Sequence, residues 1–155
     1  MLQSLRQLVL SAVKFITKWR HDMGIDVYGR AAVAVVRNHI NGQNPREGWG
    51  REIAILTDLK SVREKGCPKS AFLGLCEAGY VNGISPKKYL LRGGKNKSYA
   101  IAGAEIALAG VENIYQPEDL WLMIKKSIPA RPNKYNQQMH VVVALKDAGL
   151  LQKPD

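Results

Sequence analysis

Between Pro68 and Gly79 the chain has hardly any polar face. Ala71, Phe72, Leu73, Leu75 and Cys76 crowd into eleven positions, and only Lys69, Ser70 and Glu77 are obvious surface residues. A helix that is apolar nearly all round must be covered nearly all round, so other elements have to enclose this one. Its ends carry their own chemistry. Proline suits a first helical position, where its missing N–H has no partner to lose. Gly79 then supplies the left-handed residue on which helices commonly end.

The same punctuation recurs along the chain. Asn44, Pro45 and Glu47 give a cap, a first-turn proline and an acid at the third helical position, after which Trp49, Ile53, Leu56 and Leu59 face inward. Gly66 closes that helix or its turn. Asn96 caps a helix from about Lys97 to Leu108, and Pro117 with Glu118 and Asp119 opens another carrying Leu120, Trp121 and Ile124. Tyr135 to Ala148 is the last, with Gly149 after it. Residues 28–40, rich in Ala and Val, are buried as a helix or as a strand. Their length and alanines favour helix, ended by Asn41-Gly42. With 155 residues, 46% of them hydrophobic, the chain can bury a core of its own. The expected fold is all-α: a compact orthogonal domain of about six to eight helices spanning residues 1–155. The glycine-bearing loop after Gly79 leaves room for a short winged-helix-like hairpin. A weak echo aligns residues 71–81 with 141–151. Both are apolar helices ending in acid-Ala-Gly, and shared helix-end chemistry explains them without duplication.

Residues 2–20 form an amphipathic helix, with Leu2, Leu5, Leu8, Val9, Ala12, Val13, Ile16 and Trp19 on one face. It reads as residues 1–24 added to a core of about 28–151. Docking on that core is the expected fate of the stripe; an anionic membrane surface is the alternative. Arg6, Ser11 and Lys14 break the apolar runs, so no membrane insertion and no signal peptide are expected.

The charge points to partners. Lys and Arg total 23 against 13 acids, a net charge of +10. Such a balance favours a polyanion, although solubility alone also accounts for many basic proteins. The cations concentrate. Lys60, Arg63, Lys65, Lys69, Lys87, Lys88, Arg92, Lys95 and Lys97 are opposed, from 60 to 97, only by Glu64 and Glu77. Tyr80, Tyr89 and Tyr99 interleave with them. Cations neutralise phosphates and tyrosine rings stack on unpaired bases, but the same rings also pack into cores. Gly93 and Gly94 would let backbone approach a phosphate. The stretch Gly93-Gly94-Lys95-Asn96-Lys97-Ser98 lacks the spacing of a phosphate loop. The helix from Pro68 lacks the polar side chains that base readout needs.

Two cysteines make no disulfide framework, which fits the cytoplasm. Cys67 falls at the expected helix N-cap between Lys65 and Lys69, a setting that favours thiolate. Catalysis would also need a base, and His21, His39 and His140 are scattered. No spacing of metal ligands is present, and no cofactor is expected.

Gly66-Cys67-Pro68-Lys69 together with Ala71-Phe72-Leu73-Gly74-Leu75-Cys76-Glu77-Ala78-Gly79 resembles an uncharacterised family of small bacterial proteins, a domain of unknown function. The resemblance runs from about Tyr28 to Leu151. It takes in Asn96-Lys97-Ser98-Tyr99-Ala100, Leu120-Trp121 and Asn136-Gln137-Gln138-Met139. It implies a fold unit, not an activity. The expected function is a non-enzymatic binding protein that meets DNA or RNA through phosphates, using Lys65, Lys69, Lys87, Lys88, Arg92, Lys95 and Lys97. An inhibitor or adaptor for an acidic protein surface is the alternative, and an enzyme using Cys67 the third reading.

Overall fold

The computed structural model describes residues 2–22, 26–92 and 94–155, and within the first helix the side chains of residues 4–15. Among these, eight α-helices follow in order: α1 (Leu2–Asp22), α2 (Val27–Arg37), α3 (Pro45–Leu56), α4 (Lys60–Arg63), α5 (Gly66–Ala78), α6 (Lys95–Ala109), α7 (Pro117–Met123) and α8 (Gln138–Asp147). A 3-10 turn over Ile124–Lys126 extends α7. The all-α expectation holds.

The helix that demanded cover receives it. α5 packs against α6, α8, α3 and α2. Phe72, Leu75 and Cys76 are fully buried, and burial pushes the Cys76 thiol pKa well up. The Phe72 ring stacks on Trp49 of α3 with centroids 5.4 Å apart. The approach of α6 is closest at Gly74, where an added Cβ would lie 2.8 Å from the Lys97 Cα. Two helices can cross this closely only because glycine has no side chain there. Cys67 and Cys76 are both free and lie nine positions apart on α5, about 13 Å by helical rise and beyond disulfide reach.

Gly79 has φ 86°, and the Tyr80 N–H reaches back to the Leu75 carbonyl at 3.0 Å. Gly149 has φ 73°, and the Leu150 N–H reaches the Leu145 carbonyl at 2.8 Å. The two similar sequences are therefore two similar caps. The chains leaving them meet: Val81 and Leu151 form an isolated antiparallel bridge. The Asn82 N–H donates to the Leu150 carbonyl and the Gln152 N–H to the Tyr80 carbonyl. The winged-helix-like hairpin does not form. Among the described residues there is no strand, because the backbone after Gly79 finds its partner at the far end of the chain.

Several boundaries differ from the sequence reading. α2 is a helix, but it ends at Arg37 rather than at Asn41-Gly42. The Asn38 side chain donates to Glu52 Oε1 on α3 at 3.0 Å, and the chain turns there. α3 ends at Leu56, so Leu59 lies outside it and is 64% exposed. Gly66 opens α5 instead of closing the preceding turn, so Lys65 is the N-cap and Cys67 the second helical residue. Pro68 is then third, still within the turn whose N–H groups need no helical partner. α6 starts at Lys95 after Gly94, and Asn96 is not its cap. α8 starts at Gln138, three residues after Tyr135.

The largest correction concerns α1. Leu5, Leu8 and Phe15 are 60%, 66% and 70% exposed, and Val9 and Leu10 are exposed as well. Of the described side chains in this helix only Val13 is half-buried. Among the described residues the stripe does not dock on the core, which α2, α3, α6 and α8 close around α5. The side chains of Leu2, Ile16 and Trp19 lie outside the described residues. No helix among the described residues is long and apolar enough to cross a membrane.

Candidate nucleic-acid interface

The basic segment leaves α5 at Gly79 and returns at α6. Ile84 and Leu90 are buried, so the loop is pegged into the core at both ends. Lys87 and Lys88 lie between the pegs and are exposed, as are Arg92 and Lys95 beyond them. Among the described residues none of these four pairs with a carboxylate.

The loop backbone is tied down from two helices. Glu77, in the last turn of α5, accepts the Tyr89 and Leu90 N–H groups at 2.9 Å each. It also accepts Lys97 Nζ at 2.8 Å, from the first turn of α6. A carboxylate near a helix C-terminus opposes the helix dipole, so these donors are what hold it there. The Leu90 N–H and the Lys97 ammonium, followed by the Tyr89 N–H, lower the Glu77 pKa to about 2 from 4.5, with burial opposing them. From the other side, Arg46 Nη2 of α3 donates to the Tyr89 carbonyl at 2.8 Å.

The seven expected contact residues therefore fall into two groups. Lys97 is engaged by Glu77, and its stem packs on Gly74. Lys65 donates to Gln137 Oε1, with its ammonium 6.0 Å from the Tyr28 ring. Lys69 is half-buried, and its pKa is lowered by desolvation and then by the nearby Arg46 charge. Lys87, Lys88, Arg92 and Lys95 are the exposed remainder. Gly93 lies outside the described residues. Arg46 was missed from sequence; its place at a marked helix start gave no sign of which loop it would reach.

The tyrosines do not form a base-stacking platform. Tyr80 and Tyr99 are each 7% exposed. Tyr80 donates to Glu105 Oε1 at 2.9 Å, and Tyr99 meets Trp121 edge-on at 5.4 Å. Tyr89 is half-buried and its hydroxyl donates to the Ser85 carbonyl.

The short motifs meet in space around the start of α6. Gln138 is buried, donates to Asn96 Oδ1 at 3.0 Å and accepts the Asn136 N–H at 3.1 Å. Asn96 thus serves α8 rather than its own helix end. Met139 fills the space beside Gly103. These residues clamp α6 and α8 together. Cys67 is half-buried, and among the described residues no histidine partners it. His140 Nδ1 instead lies 2.6 Å from the Tyr135 hydroxyl. Among the described residues no three His, Cys, Asp or Glu side chains converge.

These features define an all-α basic protein with an anchored cationic loop. Residues 25–152 match the family described as Family of unknown function (DUF6979), and the chain belongs to it. Searches of curated proteins and of solved structures find no match. The matched range begins just after α1 ends.

Proposed function

We propose that this chain is a small non-enzymatic binding protein of the cytoplasm that contacts nucleic acid mainly through phosphates. One observation carries the reading: Lys87, Lys88 and Arg92, on a loop whose backbone Glu77 and Arg46 hold at Tyr89 and Leu90, and Lys95 at the start of α6 are exposed and pair with no carboxylate among the described residues. Four cations on a fixed backbone lose less freedom on meeting a polyanion than four on a mobile tail. The start of α6 beside them has no side-chain cap, so its first N–H groups add donors suited to a phosphate. Lys69 and Arg46 form a second rank of charge, while Lys65 and Lys97 act through the fold. With Tyr80 and Tyr99 buried, contact favours the backbone over the bases, and sequence preference is weak.

The test is a fluorescence-anisotropy titration with duplex DNA, single-stranded DNA and RNA across a salt series. Four phosphate contacts predict a log–log salt slope of about −3 to −4. A variant with Lys87, Lys88, Arg92 and Lys95 all changed to Gln should lose most of that slope on every sequence while keeping its thermal midpoint. Absence of binding at low salt to all three probes would overturn the reading and favour an acidic protein partner.

A further inference from the structure

α1 takes no part in the proposed nucleic-acid contact. Its Leu5, Leu8, Val9, Leu10 and Phe15 are exposed, and the family unit begins after it. On a helical wheel Leu5, Leu8, Val9, Ala12, Val13 and Phe15 cover an arc of about 160°. Gln7, Ser11 and Lys14 take the other side, and Ser4 and Arg6 border the apolar arc. Leu10 alone is out of place. The charge of the segment is strongly of one sign: α1 carries Arg6, Lys14, Lys18 and Arg20 against a single acid, Asp22, its last residue.

We propose that α1 is an interfacial anchor that lies on an anionic lipid bilayer. Leu5, Leu8, Val9, Ala12 and Phe15 enter the boundary between headgroups and acyl chains, and Arg6 and Lys14 meet anionic headgroups. A broad apolar face with a basic polar face is what such a surface binds. The rest of the chain reinforces the attraction, since the net charge is +10. The helix lies on the bilayer and does not cross it, being neither long nor apolar enough to span. A second copy is a poorer occupant. It would bring another basic α1, with four cations and only the terminal Asp22 to offset the repulsion. The inference is independent of the nucleic-acid reading, because α1 and the 87–95 loop share no residue.

Vesicle co-sedimentation of the full chain tests it. The protein should bind vesicles of phosphatidylcholine mixed with phosphatidylserine, and bind pure phosphatidylcholine far less. The double variant Leu8→Glu, Phe15→Glu should lose roughly tenfold or more in partitioning. Arg6→Gln with Lys14→Gln should also lose roughly tenfold, and added salt should weaken the wild type. All these side chains are exposed, so the thermal midpoint should not move. The variant lacking the four loop cations should retain most vesicle binding. The inference is overturned if Leu8→Glu, Phe15→Glu sediments like the wild type. It is equally overturned if the loop variant loses the binding that the α1 variant keeps. A wild-type dimer formed without lipid, abolished by the α1 substitutions and unaffected by vesicles, would assign the face to a second copy instead.

Discussion

Replacing Glu77 by Gln isolates the tie that holds the basic loop. Glu77 Oε2 accepts two backbone N–H groups at 2.9 Å and Oε1 accepts the Lys97 ammonium at 2.8 Å. Gln keeps one oxygen for the backbone but turns an NH2 towards a cation. The ion pair is lost, and the backbone bonds lose their charge assistance. Hydrogen bonds to a charged group contribute about 1.5–3 kcal/mol net, and the site is part-buried, so the substitution should cost about 1.5–3 kcal/mol at neutral pH. For a chain of this size that is roughly 4–10 °C in thermal midpoint. The pH dependence supplies a second, sharper test. The folded-state pKa of Glu77 is lowered to about 2 from 4.5. A depressed carboxylate stabilises the fold above its unfolded pKa, and that stability is lost as pH falls through the folded value. The gap between wild type and Glu77→Gln should therefore be full near neutrality and close progressively from about pH 4.5 towards pH 2. Circular-dichroism melts across that range measure it, and faster amide exchange at Tyr89 and Leu90 in the variant locates it. Equal midpoints at neutral pH would refute the anchoring argument. So would a gap that persists unchanged where the carboxylate is protonated.

Two further substitutions probe the scaffold. Phe72→Ala removes a fully buried ring stacked on Trp49 and should cost about 3–5 kcal/mol in urea unfolding, whereas Leu59→Ala, at 64% exposure, should move the midpoint little. Gly74→Ala should lower the unfolding free energy from urea titration by about 1–3 kcal/mol despite alanine's better helix propensity, because its Cβ would meet the Lys97 Cα at 2.8 Å and push α6 away.

The features legible in the sequence are those whose chemistry is local. Pro45, Pro117, Gly79 and Gly149 act within a turn of where they stand, and each marks a real helix end. Asn96 failed as a cap because a polar residue near a helix start has two possible tasks, and the claim on it came from Gln138, 42 positions away. The stripe of α1 shows the other limit. Periodicity tells a helix that one face is to be covered, but a protein core and a bilayer write the same period.

Charge in the loop is legible; its pairing is not. Between positions 60 and 97 the sequence offers two acids against nine cations, which suggests that almost all the charge is free. The fold uses it unevenly. Glu64 lies 4.0 Å from Lys60 on the surface, a pair of little energetic weight. Glu77 joins residues 12, 13 and 20 positions onward into one network. Arg46, 43 positions before Tyr89, closes the other side. Lys65 and Lys97 are spent on such contacts, and Lys69 is partly desolvated beside Arg46. The proposed interface is what this pairing leaves over. A salt slope worked from all seven cations would come near −6, against about −3 to −4 for the four that remain exposed, so the slope itself reads out how much of the charge the fold has consumed.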